Sequence, residues 1–439
     1  MSVPYDCDAL ISAEYIVCQD TERRIIERGA LAVADGRIVA IGAESELDGL
    51  APKERIRLGS SLVMPGLVNA HTHVSMTFLR GLADDLPLME WLTQHIFPKE
   101  QHLTAEIVEL GALLGCAEMT RTGTTAFADM YLFENGVARA VEAAGLRCLM
   151  GEAVFAFPTP AAASPEAAYE AIRALAADCA QKSRLRAAIM PHTVYTTTPK
   201  ILTECAALAH ELDLPVQIHL SETATEVADC LATYGKRPVA HVKEMGLLGP
   251  RSSLAHCVVL DDHEMDELAA FGAHVVHNPR SNMKLASGVA PVPGMRKRGM
   301  LPALGTDGAA SNNGLNMFAE MSACALLHKV HGMDPTLCPA QDVLDMATLG
   351  GAAALDWPEL GALVVGGPAD LVALDLASPN FLPVYNPVSH LIYSATGHEV
   401  RLSMVEGRVL YKDGDYLALD IDVLLREAAK LKRWVLAKI

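Results

Sequence analysis

Between residues 62 and 310 the sequence repeats one pattern: a short apolar or β-branched run, a turn with Gly, Pro or polar residues, then an Ala/Leu/Glu-rich helical stretch. The strand candidates are residues 62–68, 125–130, 147–153, 186–190, 215–219, 253–256, 274–277 and 302–306. Short continuous apolar runs spaced by helices are the signature of parallel strands buried on both faces. Eight of them predict a (β/α)8 barrel of the TIM type, and no G-x-G-x-x-G turn opens a dinucleotide-binding unit.

The flanks read differently. Residues 9–12, 30–33, 37–41 and 55–58 before the repeat, and 370–375, 388–393, 400–405 and 408–411 after it, are short strand-like runs between turn residues. They predict a small β-sandwich domain formed by the two ends together. The expected division is 1–61 and 361–439 for that domain, with 62–360 as the barrel. Residues 421–439 place Val423, Leu424, Ala428, Leu431 and Val435 near helical spacing, so a terminal amphipathic helix packs on the body.

A formal charge of −18 repels a phosphate backbone, which argues against nucleic acid as a partner. Met1 to Asp8 carry no basic run followed by an apolar one, and no segment offers about 20 uninterrupted apolar residues. A cytoplasmic protein without membrane contact is expected. The ten cysteines form no C-x-x-C pair, which suits reduced, buried thiols; Cys257 is read the same way although it adjoins a candidate site residue.

Chemistry concentrates at the carboxyl ends of the expected strands, where barrel active sites are built. The first run ends Asn69-Ala70-His71-Thr72-His73, and residues two apart on a strand share a side, so both imidazoles point into the barrel mouth. Alone, this H-x-H is equally compatible with two satisfied polar residues. The fifth run ends Ile218-His219-Leu220-Ser221-Glu222, and Glu222 there is either a group reaching over a metal or a helix-starting carboxylate. The eighth ends Gly305-Thr306-Asp307-Gly308, where Asp307 is either a turn former or a ligand. Three strand ends presenting ligand-type side chains at one face favour the joint reading: His71, His73, His219 and Asp307 hold a divalent metal. His256, ending the sixth run, joins that ring as a group for the attacking water, whereas His277 is left as structural.

Together with Leu79-Arg80-Gly81, Glu90-Trp91-Leu92, Pro98-Lys99-Glu100, Met190-Pro191-His192, Ser281-Asn282-Met283-Lys284-Leu285 and Gly305 to Asn313, these motifs resemble the amidohydrolase superfamily over nearly the whole chain. Within it the match is to the 5-methylthioadenosine/S-adenosylhomocysteine deaminase family. The resemblance implies one divalent metal ion per chain, zinc, on His71, His73, His219 and Asp307. It implies hydrolytic deamination of an adenine nucleoside, with water activated by that metal. Glu222, His256 and Asp307 then move protons; Glu100 holds the ribose hydroxyls; His192 and Trp91 contact the nucleoside, beside Glu222 and Asp307. The fourth strand lacks the lysine that bridges two ions in binuclear members of the superfamily, so a single metal is expected.

Residues 150–160 are largely apolar and hold no Arg or Lys. That wall suits a methylthio group or adenosine better than the zwitterionic end of S-adenosylhomocysteine. The competing readings are a deaminase or chlorohydrolase of another heterocycle, of guanine, pterin or triazine type, and a catalytically silent scaffold. The sequence leaves open whether the chain forms a homo-oligomer.

Overall fold

The eight apolar runs fold into parallel strands whose carboxyl ends gather at one face. The computed structural model describes residues 6–437; the leader reading for Met1 to Tyr5 and the last two residues of the expected terminal helix lie outside them. The strands are β1 (Leu67–Thr72), β2 (Thr124–Tyr131), β3 (Arg147–Val154), β4 in two pieces (Leu185–Ala187 and Met190–Pro191), β5 (Val216–Leu220), β6 (Ser252–His256), β7 (His274–His277) and β8 (Ala303–Leu304). Every residue of β2 and β3 is buried, as expected of strands covered on both faces.

The strands pair as two parallel sheets, β1 to β4 and β5 to β8. Both seams are stitched. Ile189 bridges Val216 in parallel on one side. On the other, the Asp307 N–H donates to the His71 carbonyl at 2.9 Å, and the Thr306 N–H donates to Asn69 Oδ1 at 2.9 Å. The second seam therefore ties a metal-ligand candidate on β1 to another beyond β8.

The expected first strand is split. Ser61–Pro65 belongs to an outer sheet, pairing antiparallel with Leu371–Asp375 and parallel with Cys7–Val17. The chain crosses to the barrel at Gly66, where a Cβ would lie 1.9 Å from Thr125 Oγ1, so only glycine passes. We propose Gly66, rather than residue 62, as the division between the two parts.

The outer sheet has nine strands drawn from both ends of the chain. It curls until its edge strand Arg37–Ala43 reaches the segment leading into Leu371–Asp375, with the Ile38 N–H donating to the Gly367 carbonyl at 2.9 Å. The enclosed core holds Ile11, Ile16, Leu31 and Ile38 against Leu371, Leu402 and Met404. One expected strand there, 388–393, is instead the helix Pro387–Tyr393. Asn386 caps it by accepting the Ser389 N–H at 3.1 Å, Pro387 starts it, and Val388, Leu391 and Ile392 are buried at helical spacing.

The terminal helix, Ile421–Leu436, buries Leu424, Leu431 and Val435, while Val423 lies on its exposed side. Among the described residues no helix is long and apolar enough to cross a membrane. All ten cysteines are free and buried.

Candidate active site

His71 and His219 lie on β1 and β5, His73 directly follows β1, and Asp307 follows β8 in a left-handed turn with φ of 62°. Aspartate tolerates that conformation better than most residues. The four ligand-type atoms all lie within 4.8 Å of one another. Asp307 Oδ1 stands 3.2 Å from His73 Nε2 and 3.5 Å from His71 Nε2. The Nε2 atoms of His73 and His219 are 3.2 Å apart.

Each imidazole is held by its other nitrogen. His71 Nδ1 donates to Gln217 Oε1 at 2.9 Å, His219 Nδ1 to the His192 carbonyl at 2.7 Å, and His73 Nδ1 to the Met130 carbonyl. In the neutral ring, donation from Nδ1 fixes the tautomer that leaves Nε2 with a free lone pair, the arrangement of metal-ligating histidines, which His73 reaches on giving up its proton to a cation. Gln217 is held in turn by donating to the Ala70 carbonyl at 3.0 Å. The second carboxylate oxygen of Asp307 accepts from Ser281 at 2.6 Å and Ser311 at 2.8 Å.

Three nitrogen donors and one carboxylate oxygen fit a divalent ion such as zinc. His71 Nε2 is buried and without a hydrogen-bond partner, a cost that a bound cation would remove. Burial keeps His71 and His219 below the usual imidazole range, hence neutral. Burial pushes Asp307 upward, but His71 and His73 outweigh it and hold the carboxylate ionised.

Glu222 follows β5 and lines the same cavity. Burial, and then the charge of Asp307, raises its pKa to about 8, so it carries a proton near neutrality. Ser287 donates to its Oε1 at 3.3 Å. Behind it, Glu226 accepts the backbone N–H groups of Ser221 at 2.9 Å and Glu222 at 2.7 Å, which fixes the loop. His256, the last residue of β6, donates Nδ1–H to Asn282 Oδ1 at 2.9 Å. Its Nε2, 3.8 Å from Glu222 Oε2, faces the cavity. Burial lowers its pKa, so that nitrogen is free to accept.

The cavity runs from this cluster to Glu100, walled by Leu88, Trp91, Ile96, Phe97, Leu132 and Phe155. Trp91 and Glu100 sit on one irregular helical run, in which Trp91–Ile96 has π geometry ahead of Pro98. Proline lacks the N–H an α turn needs, and such bulges re-aim side chains at functional sites. Glu100 Oε1 accepts from the Tyr131 hydroxyl at 2.8 Å. His192 closes the wall beside Phe155 with ring centroids 4.5 Å apart, and burial drops its pKa to about 3. Every candidate named from the sequence thus lies at this one cavity or directly behind it.

Tyr131 and Gln217 were not singled out in the sequence. Gln217 carried a usable signal: a polar residue inside an apolar run, two before His219 and so on the same side of the strand. Tyr131, the last residue of β2, had the same strand-end position as the histidines.

Comparison with known proteins agrees with this geometry. The model of the amidohydrolase family matches residues 62–410. A 5-methylthioadenosine/S-adenosylhomocysteine deaminase of Nitratidesulfovibrio vulgaris is 59% identical over 434 residues, covering 99% of both chains. A 5'-deoxyadenosine deaminase of Methanothermobacter thermautotrophicus is 45% identical over 404 residues, covering 90% of this chain and 92% of that one. Among solved structures, a zinc-bound adenosine deaminase from Xanthomonas campestris superposes with a TM-score of 0.96 at 38% identity, covering 99% of this chain and all of that one.

Proposed function

The chain belongs to the amidohydrolase family, and from that premise we propose that it removes the exocyclic amine of an adenine nucleoside by hydrolysis, preferring substrates with a small apolar 5' group. The observation that carries this reading is a buried Glu222 beside the His71, His73, His219 and Asp307 cluster, with a second carboxyl, the half-buried Glu100, further along the same apolar-walled cavity.

Those four residues would hold a divalent ion, zinc in this reading, which when bound would supply a water molecule acidic enough to deprotonate near neutrality. The chain's own groups handle the protons. Glu222 donates its proton to ring N1 as water oxygen adds to C6, which relieves negative charge building on the ring. His256 Nε2, with Asp307 beside it, takes the proton that water gives up. That proton passes to the amine, which leaves as ammonia; Glu222 recovers its own from the C6 hydroxyl as the carbonyl forms. Atoms balance: water and the adenine ring yield hypoxanthine and ammonia.

Glu100 is the group for the ribose, because a carboxylate can accept from two neighbouring hydroxyls. The Tyr131 hydroxyl holds one of its oxygens and leaves the other open. His192 and Trp91 wall the nucleoside. Among the described residues no Arg or Lys lines the cavity, so the charged end of S-adenosylhomocysteine would lie against apolar carbon without a partner there.

Specificity constants for methylthioadenosine, 5'-deoxyadenosine, adenosine, S-adenosylhomocysteine and guanine test the proposal. Methylthioadenosine or 5'-deoxyadenosine should exceed S-adenosylhomocysteine by about tenfold or more, the size expected when one charged group goes unpaired. Equal or faster turnover of S-adenosylhomocysteine would overturn the 5' preference, and turnover of guanine alone would overturn the nucleoside reading.

A further inference from the structure

A second cluster of metal-type donors lies outside the barrel mouth. His277 ends β7, and its neighbour Val276 packs into the central core with Val68 and Ala303, so the alternation of the strand turns His277 outward. It meets the helix Met317–Gly332, on which Cys324 and His328 stand four residues apart and therefore on one face. The three side chains are buried, with exposures of 0% for His277 and Cys324 and 1% for His328.

The ligand-type atoms of His277, Cys324 and His328 lie within 4.8 Å of one another. The two imidazoles face each other through Nε2 at 3.2 Å, the same separation that His73 and His219 show in the catalytic cluster. Two nitrogens bound to a tetrahedral zinc at about 2.0–2.1 Å are necessarily about 3.3 Å apart, so the pair is already at ligand spacing. We propose that His277, Cys324 and His328 form a second, soft divalent-metal site with thiolate and imidazole donors, separate from the catalytic one.

Burial keeps both imidazoles neutral, His328 at about 4 and His277 well below its usual range, as ligation requires. The hydrogen bond with Cys338, and then burial, keep Cys324 a thiol in the metal-free protein. Binding must therefore break the Sγ–H bond as the sulfur–metal bond forms, releasing one proton to solvent. Affinity rises with pH for that reason. A hydrogen bond between the two histidines is the metal-free state of the same pair. It leaves His277 Nδ1 buried without a partner. That missing anchor distinguishes this site from the catalytic one, where each ring is tied through Nδ1. Anchors of that kind are worth about 10- to 100-fold in metal affinity, so the catalytic site fills first.

The site would pin a helix that supports the catalytic loop. Glu320, on its first turn, accepts from Asn312 at 2.7 Å, and Asn312 donates to the Thr306 carbonyl at 2.6 Å, next to Asp307. The expected contribution is to the stability of that support and not to the chemical step.

The test is titration of the whole, metal-stripped enzyme with cobalt(II) under a phosphine reductant, followed by absorption and metal analysis. The catalytic donors include no sulfur, so a thiolate-to-cobalt charge-transfer band reports the second site alone. The first equivalent should restore turnover without that band, and the second should bring the band in. In Cys324→Ala, and independently in Cys324→Ser, the band and the second equivalent should vanish while the first equivalent and turnover remain. Binding of a single equivalent without the band in the unaltered enzyme would overturn the proposal. A band that persists in both variants would overturn it as well, by assigning the sulfur to another cysteine. Turnover restored by one equivalent keeps the catalytic reading intact in either case.

Discussion

Glu222 is the residue on which the proposed chemistry turns, because its role depends on a proton that an exposed glutamate would not hold at neutral pH. Glu222→Gln keeps the shape and removes the acid, so kcat should fall by about 10²–10⁴-fold, the usual worth of a general acid. Bound metal, measured on the same sample, should stay at the level of the unaltered enzyme, since Glu222 lies outside the ligand cluster. A variant that loses metal and activity together would instead make Glu222 part of the metal site. Tyr131 acts at the other end of the cavity. Removing the hydroxyl that holds Glu100 in Tyr131→Phe should raise KM for nucleosides by about tenfold, the worth of one hydrogen bond to a charged group, with a smaller effect on kcat. An unchanged KM would remove Glu100 from the ribose contact.

At the scale of elements, the carboxyl ends of the barrel strands were the readable part of the site. Their register is set by period-two alternation around an apolar core, which is why His71, His73, His219, His256 and Asp307 could be grouped before any coordinates. The pairing of Tyr131 with Glu100 was not readable, because Glu100 is aimed by the π-wound run before Pro98, which follows no simple period. The outer sheet failed at two points for local reasons. Residues 62–68 read as one apolar run because the sheet change at Gly66 costs no hydrophobicity, and 388–393 read as a strand because a short apolar run fits either period. The loop after β5 shows how much an element contributes to one side chain. Thr223 caps the helix Ala224–Tyr234 by accepting the Glu226 N–H at 3.1 Å, while the Glu226 carboxylate reaches back to Ser221 and Glu222. Glu226→Gln turns an amide N–H toward one of those backbone donors and should loosen Glu222. The expected result is a fall in kcat of about tenfold, within the 10²-fold that misplacement of about 1 Å can cause. Metal content and the folded circular-dichroism spectrum should be unchanged; an unaltered kcat would show that the loop holds Glu222 without this carboxylate.

For the molecule as a whole, the site is built on an interior that buries many ionisable groups, and this fixes how metal-free stability depends on pH. Burial raises Glu152, Glu226 and Glu320 to about 7 and Glu222 to about 8. The unfolded chain releases those protons near 4.5, so above that pH the folded state binds more protons than the unfolded one. By linkage, stability then falls as pH rises until each folded pKa is passed. His71, His192, His219 and His256 act in the opposite sense, because burial lowers them from 6.5, but their effect is complete once the unfolded imidazoles have titrated at that pH. His73 adds to the fall: burial would lower it, yet Asp307 outweighs burial and raises it to about 9 in the absence of a cation. From about pH 7.5, roughly one unit past the unfolded imidazole value, to about pH 8.5 the carboxyls and His73 therefore outweigh them and act in one direction. The melting temperature of the chelated protein should drop across that window, at up to about 1.4 kcal/mol per pH unit for each proton retained only by the folded state. Zinc should reverse the trend, since His73 must lose its proton to bind a cation and affinity therefore increases with pH. Melting curves at three pH values in the window, with chelator and with one equivalent of zinc, would show this crossing. A chelated protein that gains stability from about pH 7.5 to about pH 8.5 would mean that Glu222 and His73 hold no extra proton in the fold, and Glu222 could then not serve as the acid.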